Sequence, residues 1–149
     1  MLVGCYPAVP TAQERRTGVT DDAEQRDRSP RVAGWDVAGL DERRRATGRS
    51  YLEFLSVPDL SAGLYVLEAG EEDRQRPHTE DEIYTVVAGR GRLRMGDEDV
   101  AVGAGSVAFV AAGVQHRFHD VTERLTILVA FGPAEGSRAR RADDSAGEG

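Results

Sequence analysis

The sequence predicts an all-β domain of sandwich or barrel type, and three observations carry that prediction. Short runs rich in Val, Leu, Tyr, Phe and Ile recur between Tyr51 and Pro133; Gly, Pro and acidic turns separate them at close spacing; no long helical period interrupts them. Runs this short, bounded by turn residues, form strands, and strands without crossover helices pack on one another or close on themselves.

Taken in chain order, residues 1–33 are Thr, Asp, Glu, Gln, Arg and Pro with few large apolar groups. They cannot bury enough surface to offset the entropy of ordering, so a disordered arm is expected. Residues 34–50 form a short helical lead-in: Asp36 is placed to cap a helix running through Leu40, and Gly48 to end it. The Arg43-Arg44-Arg45 triplet reads as a solvated helix end. The strand runs, within a domain bounded at 51–134, are Tyr51 to Val57, Gly63 to Glu68, Glu82 to Val87, Arg90 to Met95, Asp99 to Val102, Ser106 to Val110, Val114 to Asp120 and Leu125 to Phe131. Residues 135–149 show no periodicity and are expected to form a second disordered tail.

Composition narrows the function classes. A chain of 149 residues accommodates one domain of ordinary size. The formal net charge is −7 and no basic stripe is interleaved with aromatics, which speaks against nucleic acid and anionic membranes as partners. No apolar run approaches spanning length, so small molecules or proteins are the expected partners. The single cysteine, Cys5, permits no intrachain disulfide, consistent with a reducing cytoplasm. Leu2 to Cys5 resembles a lipoprotein cleavage box, but no charged and apolar segment precedes it, and a cytoplasmic location is expected.

The chemistry lies with the histidines, since all 3 fall in the strand-rich region. His78 and Glu82 stand four apart where the chain enters a strand, so extended geometry projects both from one face. His116 is the natural third member from a facing strand. Two imidazoles and one carboxylate suit one divalent transition metal, iron(II), manganese or zinc, and leave positions open for water or substrate. Glycines frame the set: Gly89 precedes Arg90-Gly91 in an expected tight hairpin, and Gly113 turns the chain just before His116.

These residues and offsets resemble the cupin family. Its first motif, GxxxxxHxHxxxExxxxxxG, aligns with Gly70, His78, Glu82 and Gly89; its second, GxxxxxPxGxxHxxxN, aligns with Gly105, Gly113, His116 and Asp120. The resemblance covers Tyr51 to Pro133 and implies a double-stranded β-helix, or jelly-roll barrel, with a metal held by His78, Glu82 and His116. Three positions depart from the pattern. Arg76 stands where the family has its first histidine, Ala111 replaces the proline and Asp120 the asparagine. A guanidinium cannot ligate a metal, so either three protein ligands suffice, or Gln75 or Glu80 supplies another, or the metal has been lost. Arg76 is instead a candidate fork for a substrate carboxylate or phosphate, against the alternative of a salt bridge with Glu71, Glu72 or Asp73.

Strand parity places Tyr84, Val86, Val114 and Phe118 on the inward face, with Tyr84 and Phe118 as candidate substrate contacts beside the metal. His119, three residues from His116, is expected to face the other way. The resemblance implies a metal-dependent dioxygenase, isomerase or decarboxylase of a small polar metabolite. The alternative is a non-enzymatic small-molecule-binding or sensing cupin with a degenerate site. A homodimer is expected from the open strand edges and from the family's habit.

Overall fold

The computed structural model describes residues 32–146, so the expected disordered arm lies almost wholly outside the described residues. Two short helices flank six strands: α1 (Val37–Thr47), β1 (Tyr51–Val57), β2 (Leu60–Leu67), β3 (Asp81–Met95), β4 (Glu98–Gly103), β5 (Val107–Val110), β6 (His116–Gly132) and α2 (Ser137–Ala146). All pairings are antiparallel, in the order β1-β2-β6-β3-β4, with β5 also pairing with β3. None of the described helices is long and apolar enough to cross a membrane.

The expected eight strands are six because two pairs of runs fuse. Glu82 to Val87 and Arg90 to Met95 are one strand, β3, and the last two runs are one strand, β6. The hairpin expected at Gly89 is therefore not formed. Gly89, with φ of 92°, sits among register shifts between Val86 and Arg92, where β3 bends without reversing. A Cβ at Gly89 would land on the carbonyl of Arg124 in β6, so only glycine allows this approach. Gly89→Ala is expected to lose more than about 1 kcal/mol, read as a lower urea midpoint at unchanged slope.

The fusion positions the site. β3 and β6 pair along their whole length, from Asp81 opposite Gly132 at one end to Met95 opposite His116 at the other. The ribbon coils so that its two ends face each other across the barrel interior, which is filled by Leu67, Tyr84, Val86, Leu93, Phe118, Leu125, Ile127 and Phe131. Alternation along β3 sends Tyr84 and Val86 inward, while Ile83 faces out. Phe109, the partner of Ile83 in β5, is also exposed, as is Val107.

Helix α1 covers the outer face of β2. Leu40 packs on Leu64 and Val66, so β2 is buried on both faces. Asp36 accepts a hydrogen bond from the Gly39 N–H at 2.8 Å, and Gly48 closes the helix with φ of 69° and a bond from its N–H to the Arg45 carbonyl. The arginine triplet is not uniformly solvated. Arg44 is buried, donating to Asp41 at 2.9 Å, while Arg43 and Arg45 remain exposed. Asp41 gathers Arg44, Arg45 and, from β6, Arg124, tying the helix to the barrel.

The stretch after Pro133 folds further than its lack of periodicity suggests. Ser137–Ala146 is helical because its first turn finds a fixed acceptor: the buried Glu80 carboxylate accepts from the N–H groups of Gly136 and Arg138, each at 3.0 Å. Burial would raise the Glu80 pKa, but those two N–H groups, with the Thr79 hydroxyl and the Arg138 charge, hold it below the usual carboxylate range.

Candidate metal centre

His78, Glu82 and His116 converge, each offering a ligand atom within 4.8 Å of the others. Glu82 enters from the start of β3, and His116 opens β6 across the barrel. His78 lies just before β3, where the loop ahead of β6 pins it: the Gly113 N–H donates to the His78 carbonyl at 2.8 Å, and the Ala112 N–H to Asp81 at 2.9 Å. Gly113, with φ of 76°, supplies the turn that makes this docking possible.

The lone pairs can be traced. His116 Nδ1 lies 2.8 Å from the Val114 carbonyl, which only accepts, so Nδ1 carries the proton. In the neutral ring Nε2 then presents its lone pair to the site, 3.1 Å from Glu82 Oε1 and 2.9 Å from the Tyr84 hydroxyl. Gln75 is oriented in the same way: its Nε2 donates to Asp73 at 2.7 Å, turning Oε1 toward Tyr84 at 3.0 Å. The Tyr84 hydroxyl also lies 2.7 Å from Glu82 Oε2. One phenolic proton thus faces three acceptors. His78 Nδ1, 3.1 Å from Glu82 Oε2, is too poorly aligned for a hydrogen bond and is a buried nitrogen without a hydrogen-bond partner.

Burial sharpens the imbalance. The side chains of Glu82 and His116 are 1% and 0% exposed, and no ion pair among the described residues brings an arginine to Glu82. A buried carboxylate facing imidazole lone pairs and one orphaned nitrogen lacks a cation, and a divalent metal is the cation those donors suit. The residues fit the group. The neighbouring Glu82 carboxylate raises the His78 pKa, with help from Glu135 and Glu80 and against the opposing effect of burial. Burial, then the Glu82 charge, pushes the Tyr84 phenol far up.

A cavity of about 610 Å³ opens onto this centre, with His78 and Tyr84 on its wall alongside Tyr51, Tyr65, Gln75 and Glu135. Of the other candidates, Glu80 is not a ligand: residues 77–80 precede β3, strand parity does not govern them, and the carboxylate turns away to α2. Gln75 reaches Tyr84 and Asp73 and stands one hydroxyl removed from the ligand set. Arg76 is exposed and does not line the cavity, because the segment ahead of β3 is irregular and turns Gln75 inward in its place. Phe118 is core and does not line the cavity, packing edge-on against Tyr84 at 5.3 Å. His119 faces outward and meets Asp99 at 3.1 Å.

Besides the cavity-lining Tyr51 and Tyr65, the sequence reading does not place Asp73 and Glu135 in the site. Asp73 is buried and accepts from the Tyr65 hydroxyl, the Gln75 amide and the Phe118 N–H, holding the segment ahead of β3 against β6. Glu135 reaches the cavity from beyond the last strand and lies 3.4 Å from His78 Nε2. Neither stands at a motif position. Asp73 is fixed by donors that include ones from β2 and β6, which no local pattern reveals.

Comparison with known proteins agrees with this architecture. A family model described as "Cupin domain" matches residues 63–131. An uncharacterized protein of Streptomyces coelicolor is 47% identical over 96 residues, covering 64% of this chain and 91% of that protein. Among solved structures, an RmlC-like cupin family protein with a double-stranded β-helix fold from Methanocaldococcus jannaschii aligns over 56% of this chain and 79% of its own, at 15% identity and a TM-score of 0.52. A protein of Thermus thermophilus aligns over 56% of this chain and 81% of its own, at 24% identity and a TM-score of 0.51. With the jelly-roll barrel and both motifs in place, the chain belongs to the cupin superfamily.

Proposed function

We propose that this chain is a metal-dependent cupin that acts on a small polar metabolite through a two-histidine, one-glutamate centre. The observation that supports it is the uncompensated donor set of His78, Glu82 and His116 beside a cavity of metabolite size, about 610 Å³, whose wall includes His78 and Tyr84. A bound divalent metal supplies Lewis acidity or a site for activating dioxygen, the chemistry common to the dioxygenase, isomerase and decarboxylase types. The chain's own residues do the rest. Tyr51, Tyr65 and Gln75 offer polar contacts to a bound molecule, and Val129 and Phe131 give it an apolar wall.

The cavity's charge narrows the metabolite. Glu71, Glu72 and Glu135 line it, against a single guanidinium, Arg74, whose side chain is 85% exposed and 3.7 Å from Glu72. With Arg76 outside and Arg74 exposed beside Glu72, the lining is predominantly acidic, and a hydroxyl- or amine-bearing molecule suits it better than a dianion.

The test is elemental analysis of untagged protein beside a His116→Ala variant. Stoichiometric iron, manganese or zinc in the parent, reduced at least tenfold in the variant, is the expected result. No metal in either after anaerobic reconstitution would replace this reading with that of a non-enzymatic ligand-binding cupin.

A further inference from the structure

We infer that Glu135 is the residue that orients His78 for the metal, so that the segment following the last strand is a working part of the centre. The inference rests on the metal reading above. It concerns a residue outside the stretch 63–131 that the family model matches.

The two ring nitrogens of His78 have different surroundings. Nδ1 faces Glu82 Oε2 at 3.1 Å, buried and without a hydrogen-bond partner, while Nε2 faces Glu135 Oε1 at 3.4 Å. A neutral imidazole carries one proton and one lone pair. With the proton on Nε2, toward Glu135, the lone pair is left on Nδ1, the buried nitrogen 3.1 Å from Glu82, and is free for a metal. A carboxylate behind a ligating histidine fixes its tautomer, holds its ring and raises its basicity. The need is greater here than where four protein ligands are present, because the position of the family's first histidine is Arg76, which is exposed.

Glu135 is held for this task from several sides. Its N–H donates to the buried Ser61 hydroxyl at 2.8 Å, and the next N–H in the chain, of Gly136, is fixed by Glu80. Its second carboxylate oxygen lies 3.4 Å from the Tyr51 hydroxyl. An incidental rim carboxylate would not have its backbone and both oxygens positioned at once. Of the other charged groups nearby, Glu53 and Glu80 are acidic, and the Arg140 guanidinium reaches the Glu135 backbone carbonyl at 3.4 Å rather than its carboxylate.

Cobalt(II) is the probe, because its visible spectrum reports the ligand set and its affinity can be read by competition with a chelator. Glu135→Gln is expected to weaken cobalt binding by roughly 10- to 100-fold with the band positions unchanged, since the ligands remain the same. Tyr51→Phe, which leaves the carboxylate but loosens it, is expected to move in the same direction by less, and serves if the glutamine variant does not fold. Equal affinity in the parent and in Glu135→Gln overturns the inference. A shifted spectrum also overturns it, by making Glu135 itself a ligand. Cobalt bound by the parent and lost in His116→Ala, with Glu135→Gln unaffected, removes this inference alone; no cobalt in the parent removes the metal reading with it.

Discussion

Asp73→Ala is expected to lose about 4 kcal/mol of folding stability, seen as a lower urea midpoint at constant slope. Asp73 is a buried carboxylate with no ion pair to a basic group among the described residues. Four donors satisfy it instead: the Tyr65 hydroxyl at 2.7 Å, the Gln75 N–H at 3.0 Å, Gln75 Nε2 at 2.7 Å and the Phe118 N–H at 2.7 Å. Truncation strands these donors. A stranded buried donor costs about 1–3 kcal/mol, and the Phe118 N–H lies deepest, while water can reach part of the others. Asp73→Asn keeps one accepting oxygen but turns an amide N–H₂ toward donors, so it is expected to lose about half as much. A midpoint for the alanine variant within about 1 kcal/mol of the parent would contradict this account.

Asp41→Ala is expected to lose about 3 kcal/mol, through the other acidic hub. Its carboxylate meets Arg44 at 2.8 Å, Arg45 at 2.6 Å and Arg124 at 2.9 Å. Removing it leaves the buried Arg44 guanidinium without its anion, with the Arg49 carbonyl as its remaining partner. The lower end of the range applies because Arg45 and Arg124 are 65% and 34% exposed and can turn to water. The effect carries a pH signature. Burial would raise the Asp41 pKa, but hydrogen bonds and charges from Arg124 and Arg44 outweigh it and bring the value from 3.8 to about 2. As pH falls, the unfolded chain therefore takes up this proton first. The contribution is complete above about pH 4 and disappears as pH approaches about 2. The gap between parent and variant should narrow over that window, and a gap that widened on acidification would refute the ion cluster as its source.

The sequence reading succeeds where local rules govern. The strand runs are visible because alternation and turn residues are local, and β1 spans Tyr51–Val57, the run expected. His78, Glu82 and His116 come together because the motif offsets count residues along extended chain. It stops where a long-range fact decides. Whether Gly89 turns the chain or bends a continuing strand depends on the carbonyl of Arg124 beside it, far away in sequence. Strand parity would group Arg76 and Glu80 with His78, but residues before Asp81 are not in a strand, so Gln75 takes the inward place and Glu80 turns to α2. The helix α2 carries no large apolar residue to mark it; its start is set by an acceptor supplied from before β3.

The anchoring of residues 134–138 also bears on how such proteins diverge. On the metal reading proposed above, the donors sit in β3, β6 and the segment just before β3, and little change is tolerated at them. The residues after Gly132 lie outside the strands, held to β2 through Ser61, yet they reach His78 and the rim of the cavity. A lineage can therefore alter basicity at the centre, or the molecule it admits, by rewriting a few positions after the last strand while every barrel motif stays as it is.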